Sequence, residues 1–116
     1  MGTAQARHEE KRRYPRYSCD LGVEVRVGDA KSGYWGTLAD LCLGGCYVSS
    51  FSPLTVGTSI VLVIRNENLE INITGTVVTS HPGVGMGVQF SGFGNPNGET
   101  QLKELVGQLA KSAEAI

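Results

Sequence analysis

Residues 60–77 read IVLVIRNENLEINITGTV and contain two strand patterns separated by a polar reversal. Residues 60–64 form an unbroken apolar run, which is typical of a buried strand. Residues 69–77 then alternate apolar residues or glycine with polar ones, the period of two of a strand with one buried face. The segment 66–68, NEN, favours a tight turn between them. This stretch therefore predicts a β-hairpin.

Four further segments on either side of the hairpin also carry strand patterns, and they cover residues 21–27, 34–41, 46–48 and 84–90. The chain contains 16 glycines, about twice the usual share, and they are spread along it as frequent turns between short strands require. Six strands of this kind predict a small antiparallel β-barrel or sandwich.

The C-terminal part of the chain changes to a helical period. Apolar residues recur at spacings of three and four, as an amphipathic helix requires, and they are Leu102, Leu105, Val106 and Leu109. Residues 95–97, Asn-Pro-Asn, supply a cap and a first-turn proline. We therefore expect a helix over 98–112 whose apolar face docks on the barrel, although a partner protein could use the same face.

The charge of the chain is divided unevenly. The 116 residues carry a formal net charge of −1. Residues 1–16 hold five basic and two acidic side chains, whereas residues 17–116 hold five basic and nine acidic ones. A long nucleic acid needs an extended basic surface, so the sequence disfavours such a partner, including a single strand bound in a basic groove. A small anion held by a few arginines is compatible with this distribution.

The composition also argues for a cytoplasmic location without membrane insertion. The longest apolar run, residues 60–64, is far shorter than the roughly 20 residues of a membrane-spanning helix. The first residues lack the apolar segment of a secretory signal. Cys19, Cys42 and Cys46 include no Cys-x-x-Cys pair and do not suggest a disulfide framework. We therefore expect the reducing cytoplasm.

We expect no enzymatic activity, because the sequence offers no catalytic motif. Its two histidines, His8 and His81, have no context that suggests a nucleophile with a base. The glycines of residues 83–87 alternate inside a strand pattern, whereas a phosphate-binding loop precedes a helix. Cys42 and Cys46 are separated along an extended chain and share a metal only if the turn between them folds them together. We predict no metal site and no bound cofactor.

Two segments remain that could bind a ligand. Residues 11–17, KRRYPRY, interleave arginines with aromatics directly before the first strand, and residues 40–47, DLCLGGCY, place a carboxylate before a glycine turn. Taken separately, the first reads as a solvated basic tail and the second as an ordinary turn.

Taken together, the two segments resemble the PilZ family. Its signature is R-x-x-x-R followed by [D/N]-x-S-x-x-G, and this chain has Arg12-x-x-x-Arg16 and Asp40-x-Cys42-x-x-Gly45. The resemblance implies a six-stranded antiparallel β-barrel with a C-terminal α-helix, in a bacterial protein. It also implies a receptor for the second messenger cyclic di-GMP.

The resemblance assigns ligand-binding roles to particular residues. Arg12 and Arg16 match the motif arginines, and a guanidinium can bind phosphate oxygens or the O6 and N7 atoms of guanine. Arg13, between them, is a plausible third contact. Asp40 matches the acidic position, where a carboxylate accepts hydrogen bonds from a guanine edge. Gly45 matches the motif glycine, which lets the backbone approach the ligand without a Cβ atom.

Cys42 departs from the family, which has serine at this position. A thiol is a weaker donor and acceptor than a hydroxyl, so we expect weaker ligand binding. The alternative is a PilZ-fold adaptor that binds only protein and has lost the nucleotide.

The resemblance and the strand and helix patterns together predict the domain organisation. We expect a flexible tail at 1–10 and a single domain over 11–112, which includes a basic arm at 11–16, a barrel at 17–91 and a helix at 98–112. Because no effector domain is predicted in this chain, we expect the signal to pass to an effector protein or to arise from a change in oligomeric state. The protein is expected to be a monomer or a homodimer.

Overall fold

The computed structural model describes residues 15–28, 33–66 and 69–114. Its elements, in chain order, are β1 (Tyr17–Val27), β2 (Tyr34–Leu41), β3 (Gly45–Ser49), β4 (Ser59–Asn66), β5 (Leu69–His81), β6 (Gly85–Phe93) and α1 (Gly98–Glu114). The chain is therefore mainly β with one C-terminal helix, as the sequence predicts.

The six strands form a closed antiparallel barrel in the order β1-β2-β3-β6-β5-β4. The predicted hairpin is confirmed as β4 and β5, which pair from Ser59 with Thr76 to Asn66 with Leu69. The barrel closes where β1 pairs with β4, from Val23 opposite Ile64 to Val27 opposite Ile60. Because closure leaves no edge strand, every strand is hydrogen-bonded on both sides.

The core fills the inside of the barrel with aliphatic side chains from all six strands and the helix. Its fully buried members are Val23, Val25, Leu38, Leu41, Val48, Leu62, Ile64, Ile71, Ile73, Val77 and Met86, each with 0% exposure. Apart from Leu38 and Leu41 on β2, they alternate along their strands with outward-facing residues, so the period of two seen in the sequence marks the inward-facing residues.

Several predicted strand limits need correction. β1 begins at Tyr17, four residues before Leu21, because the strand continues through a register shift between Ser18 and Leu21 in its pairing with β2. β6 runs from Gly85 to Phe93. Val84, predicted as the first residue of this strand, lies in the turn before β6 and is 60% exposed.

The predicted docking of the helix on the barrel is confirmed, and the structure shows that α1 packs against β1 and β5. Leu102, Leu105 and Val106 are buried in the core cluster, and Leu109 packs against it. Pro96 precedes the helix and does not lie in its first turn. Asn97 is at the N-cap, where its carbonyl oxygen accepts a hydrogen bond from the amide of Gln101 at 2.9 Å.

Candidate functional site

The acidic residue of the second motif, Asp40, faces outward from the barrel. It lies on β2 opposite Ser18 of β1 and Tyr47 of β3. Leu38 and Leu41 both point into the core, although three positions separate them. This is possible because β2 has an irregularity between Leu38 and Asp40 that shifts its register. The bulge therefore turns the Asp40 carboxylate to the outer surface.

Arg16 is the arginine of the first motif that lies within the described residues, and it reaches Asp40. Its Nη1 atom lies 3.8 Å from Oδ2 of Asp40, with 53% of the arginine side chain and 25% of the aspartate side chain exposed. The structure thus brings together one residue from each motif across 24 positions of sequence. Arg12 and Arg13 lie outside the described residues, so their ligand-binding roles stay predictions.

The second carboxylate oxygen, Oδ1 of Asp40, is buried and has no hydrogen-bond partner among the residues that the structure describes. A buried acceptor without a donor is unfavourable by about 1–3 kcal/mol. Within the described residues, Oδ1 of Asp40 is therefore an acceptor with capacity for a further donor.

The turn after Asp40 is held against β6. The amide of Cys42 donates to the carbonyl oxygen of Gly45 at 2.9 Å. The amide of Phe90, on β6, donates to the carbonyl oxygen of Gly44 at 3.0 Å. A Cβ atom at Gly45 would clash with the carbonyl oxygen of Val88. Glycine at this position is therefore required by the packing of β3 on β6. Contact of Gly45 with a ligand stays a prediction.

The three cysteines lie at the same end of the barrel as Asp40. Cys42 is 8% and Cys46 5% exposed, and the turn does place them on adjoining segments. Burial, followed by the charge of Asp40, raises the pKa of the Cys46 thiol well above its ordinary value. Burial also raises the pKa of the half-buried Cys19 thiol, whose Sγ atom donates to the carbonyl oxygen of Leu38 at 3.4 Å.

A raised pKa keeps the Cys19 and Cys46 thiols protonated, and a protonated thiol is a poor nucleophile and metal ligand. Within 15–28, 33–66 and 69–114, no group of three or more histidine, cysteine or acidic side chains is arranged to hold a metal ion.

Tyr47, to which no sequence motif assigns a role, lies beside Asp40 in the structure. Tyr47 points outward, since its neighbours Cys46 and Val48 are buried in the core. Its hydroxyl group lies 3.1 Å from Nδ1 of the exposed His81, and the two ring centroids are 6.1 Å apart. The pair joins β3 to β5 across the glycines of β6. No local pattern signals a contact between residues 34 positions apart.

The structure therefore defines a class of protein: a small closed barrel that carries an arginine and an outward-facing aspartate beside a glycine turn on one outer face. The model of the PilZ domain matches residues 10–108, and the chain belongs to the PilZ family. The predicted resemblance and the predicted fold are both confirmed. No curated protein matches the sequence.

Three solved structures are similar to this chain. The PilZ domain of YcgR from Escherichia coli, determined with c-di-GMP, has a TM-score of 0.67 and 18% identity, and the match covers 90% of this chain and 95% of that one. The PilZ domain of CeSA from a cellulose-synthesizing bacterium has a TM-score of 0.64 and 22% identity, with coverages of 83% and 98%.

The third structure is the inhibitor of motility MotI/DgrA of Bacillus subtilis, with a TM-score of 0.62 and 17% identity. The match covers 87% of this chain and 52% of MotI, so this chain corresponds to about half of that protein. At these identities the three likenesses establish the shared fold.

No helix within the described part of the chain has the length and apolar character needed to cross a membrane.

Proposed function

We propose that this protein is a bacterial, cytoplasmic receptor for cyclic di-GMP. The observation that carries the proposal is the pairing of Arg16 with Asp40 on the outer face of the barrel. These two residues occupy the motif positions of the PilZ family, and the similar PilZ domain of YcgR was determined with c-di-GMP.

The chemistry of the pair suits this ligand. The Arg16 guanidinium presents planar donors to a phosphodiester oxygen or to the O6 and N7 atoms of guanine. The Asp40 carboxylate accepts from N–H groups of a guanine edge, and adenine offers a different set of donors there. Since 3.8 Å exceeds hydrogen-bond length, Asp40 does not occupy a hydrogen-bond donor of the guanidinium.

In the proposed mechanism, the ligand joins the basic arm at 11–16 to the barrel surface around Asp40. Arg12 and Arg13 contribute further positive charge from the arm, and the arm closes over the bound nucleotide. The closed arm and the nucleotide together form a surface that the ligand-free protein lacks. An effector protein, or a second copy of the chain, recognises that surface and carries the signal onward.

Titration calorimetry of the purified protein tests the proposal. We expect cyclic di-GMP to bind with measurable heat and cyclic di-AMP to bind at least tenfold more weakly, because Asp40 reads the guanine edge. Absence of heat at high cyclic di-GMP concentration would overturn the receptor function.

The second candidate is an adaptor that binds only protein. Cys42 in place of serine favours it, as does an apolar surface at the end of the barrel where Phe51 is 86% and Val84 60% exposed. Backbone hydrogen bonds tie these loops together, from Ser50 to Val84 at 3.1 Å and from Gly83 to Phe51 at 3.0 Å. A lack of nucleotide binding in the calorimetric test would leave this function as the better supported one.

A further inference from the structure

The outer surface of the barrel beside Asp40 carries an aromatic side chain with a fixed position. Tyr47 and Asp40 are direct partners in the pairing of β3 with β2. Directly opposed side chains on one face of an antiparallel pair have Cβ atoms about 5 Å apart. The Tyr47 side chain therefore begins next to the carboxylate, on the side away from β1 and Arg16.

The direction of the Tyr47 ring is set by two contacts on the far side of β3. A Cβ atom at Gly85 would lie 2.6 Å from Cε2 of Tyr47, so the ring occupies space that only glycine leaves free. The Tyr47 hydroxyl is hydrogen-bonded to Nδ1 of His81 at 3.1 Å. Gly87, the direct partner of Tyr47 on β6, adds no side chain beside it. The ring thus lies across β6 with its position held at both ends.

A ring in this position has one side against Gly85 and remains partly exposed on the surface. Bases stack on such exposed aromatic faces. A base above Tyr47 would have one edge directed across β3 towards Asp40, since adjacent strands are about 4.8 Å apart. Holding the ring in place before binding reduces the ordering cost of the complex.

We propose that Tyr47, positioned by Gly85 and His81, is the stacking surface for the guanine base whose edge Asp40 binds. This inference rests on the proposed function and adds a binding residue to it. Tyr47 contacts the face of the base, whereas Asp40 contacts its edge, and Arg16 lies on the opposite side of Asp40.

Two substitutions at position 47 test the aromatic contact by calorimetry with cyclic di-GMP. Tyr47→Phe keeps the ring and loses the hydrogen bond to His81, so we expect a Kd within about threefold of the wild type. Tyr47→Leu still covers Gly85 but has no aromatic face, and we expect a Kd raised about tenfold, within the range for loss of one stacked base. A role limited to covering Gly85 would leave Tyr47→Leu with unchanged affinity.

Trp35→Leu is the matched control. Trp35 is an exposed aromatic on the same strand as Asp40, but it lies opposite Glu24, five positions along β2. We expect the Trp35→Leu variant to bind cyclic di-GMP with the same affinity as the wild type. Equal affinities for Tyr47→Leu and Trp35→Leu, with a wild type that binds, overturn this inference alone. A wild type that does not bind overturns the proposed function and the inference with it.

A measurement on the wild-type protein keeps the test independent of whether a variant folds. The ring protons of Tyr47, followed by NMR during titration with cyclic di-GMP, should shift upfield as a base stacks on them. Shifts confined to the surroundings of Arg16 and Asp40 would contradict the stacking contact.

Discussion

The Arg16 guanidinium and the Asp40 carboxylate face each other on the outside of the barrel, with Nη1 and Oδ2 3.8 Å apart. An ion pair with half of the arginine in solvent contributes about 0–1 kcal/mol to folding. The pair is therefore a weak source of stability. Its position suits a function in which the two side chains act on a third group.

The variant Arg16→Ala separates a role of the arginine in ligand binding from a role in stability. We expect the Kd for cyclic di-GMP to rise about tenfold or more, because a hydrogen bond to a charged group is worth about 1.5–3 kcal/mol. The free energy of unfolding in urea should fall by less than about 1 kcal/mol. Arg26→Ala is the control, since Arg26 pairs with Glu24 elsewhere on the outer face and should leave the affinity unchanged. Equal affinities of the two variants would show that Arg16 does not contact the ligand.

Cys42→Ser restores the family residue within the second motif. If this side chain contacts the nucleotide, the hydroxyl adds a neutral hydrogen bond worth about 0.5–1.5 kcal/mol, so the Kd should fall about two- to tenfold. Ser49→Ala, a change at an exposed residue of β3, serves as a control and should have no effect. Binding of Cys42→Ser that is equal to or weaker than that of the wild type would refute the contact.

Gly45→Ala tests the close contact between β3 and β6. The added methyl group meets the carbonyl oxygen of Val88, and overpacking of this kind costs about 1–3 kcal/mol. We expect the midpoint of urea unfolding to fall accordingly. Gly107→Ala is the control, because nothing lies within 4 Å of a Cβ atom there and alanine favours a helix by up to about 1 kcal/mol. A Gly45→Ala variant as stable as the wild type would show that β6 can shift to accommodate the methyl group without a loss of free energy of unfolding.

The environment of Glu24 should make the stability of the fold depend on pH. Hydrogen bonds from Arg26, followed by those from Arg65, lower the pKa of the Glu24 carboxyl, and the amide of Gly33 also donates to it at 3.2 Å. A carboxyl whose pKa is lower in the folded state stabilises the fold at neutral pH. This stabilisation is lost as the pH falls below about 4 and the carboxylate is protonated.

We therefore expect Glu24→Gln to unfold at lower urea concentration than the wild type at pH 7. The difference between the two proteins should narrow as the pH falls through the lowered pKa of Glu24, because the protonated carboxyl is neutral like the glutamine side chain. Glu99→Gln is the control, since the pair of Glu99 with Lys103 is largely exposed at 68% and 61%. A difference that stays constant from pH 7 to pH 3 would contradict the lowered pKa.

Local sequence patterns were sufficient for the elements of the fold. The apolar run at 60–64 and the alternation at 69–77 predicted the hairpin of β4 and β5, and the spacing of Leu102, Leu105 and Val106 predicted the docked helix. These features depend on the period of the chain alone, because a residue's direction within a strand or helix repeats every two or 3.6 positions. The motif spacings likewise predicted the family.

The arrangement of the site depended on the tertiary structure. The bulge between Leu38 and Asp40 turns the carboxylate outward. The carbonyl oxygen of Val88 leaves no room for a Cβ atom at Gly45. The hydrogen bond to His81 holds the hydroxyl end of the Tyr47 side chain. Each is a relation between different strands or a break in the regular period, and it is set by register and barrel closure. The amino-acid sequence by itself therefore determined the family and the strand and helix pattern. Only folding decided which outward-facing side chains meet, because cross-strand partners are far apart along the chain.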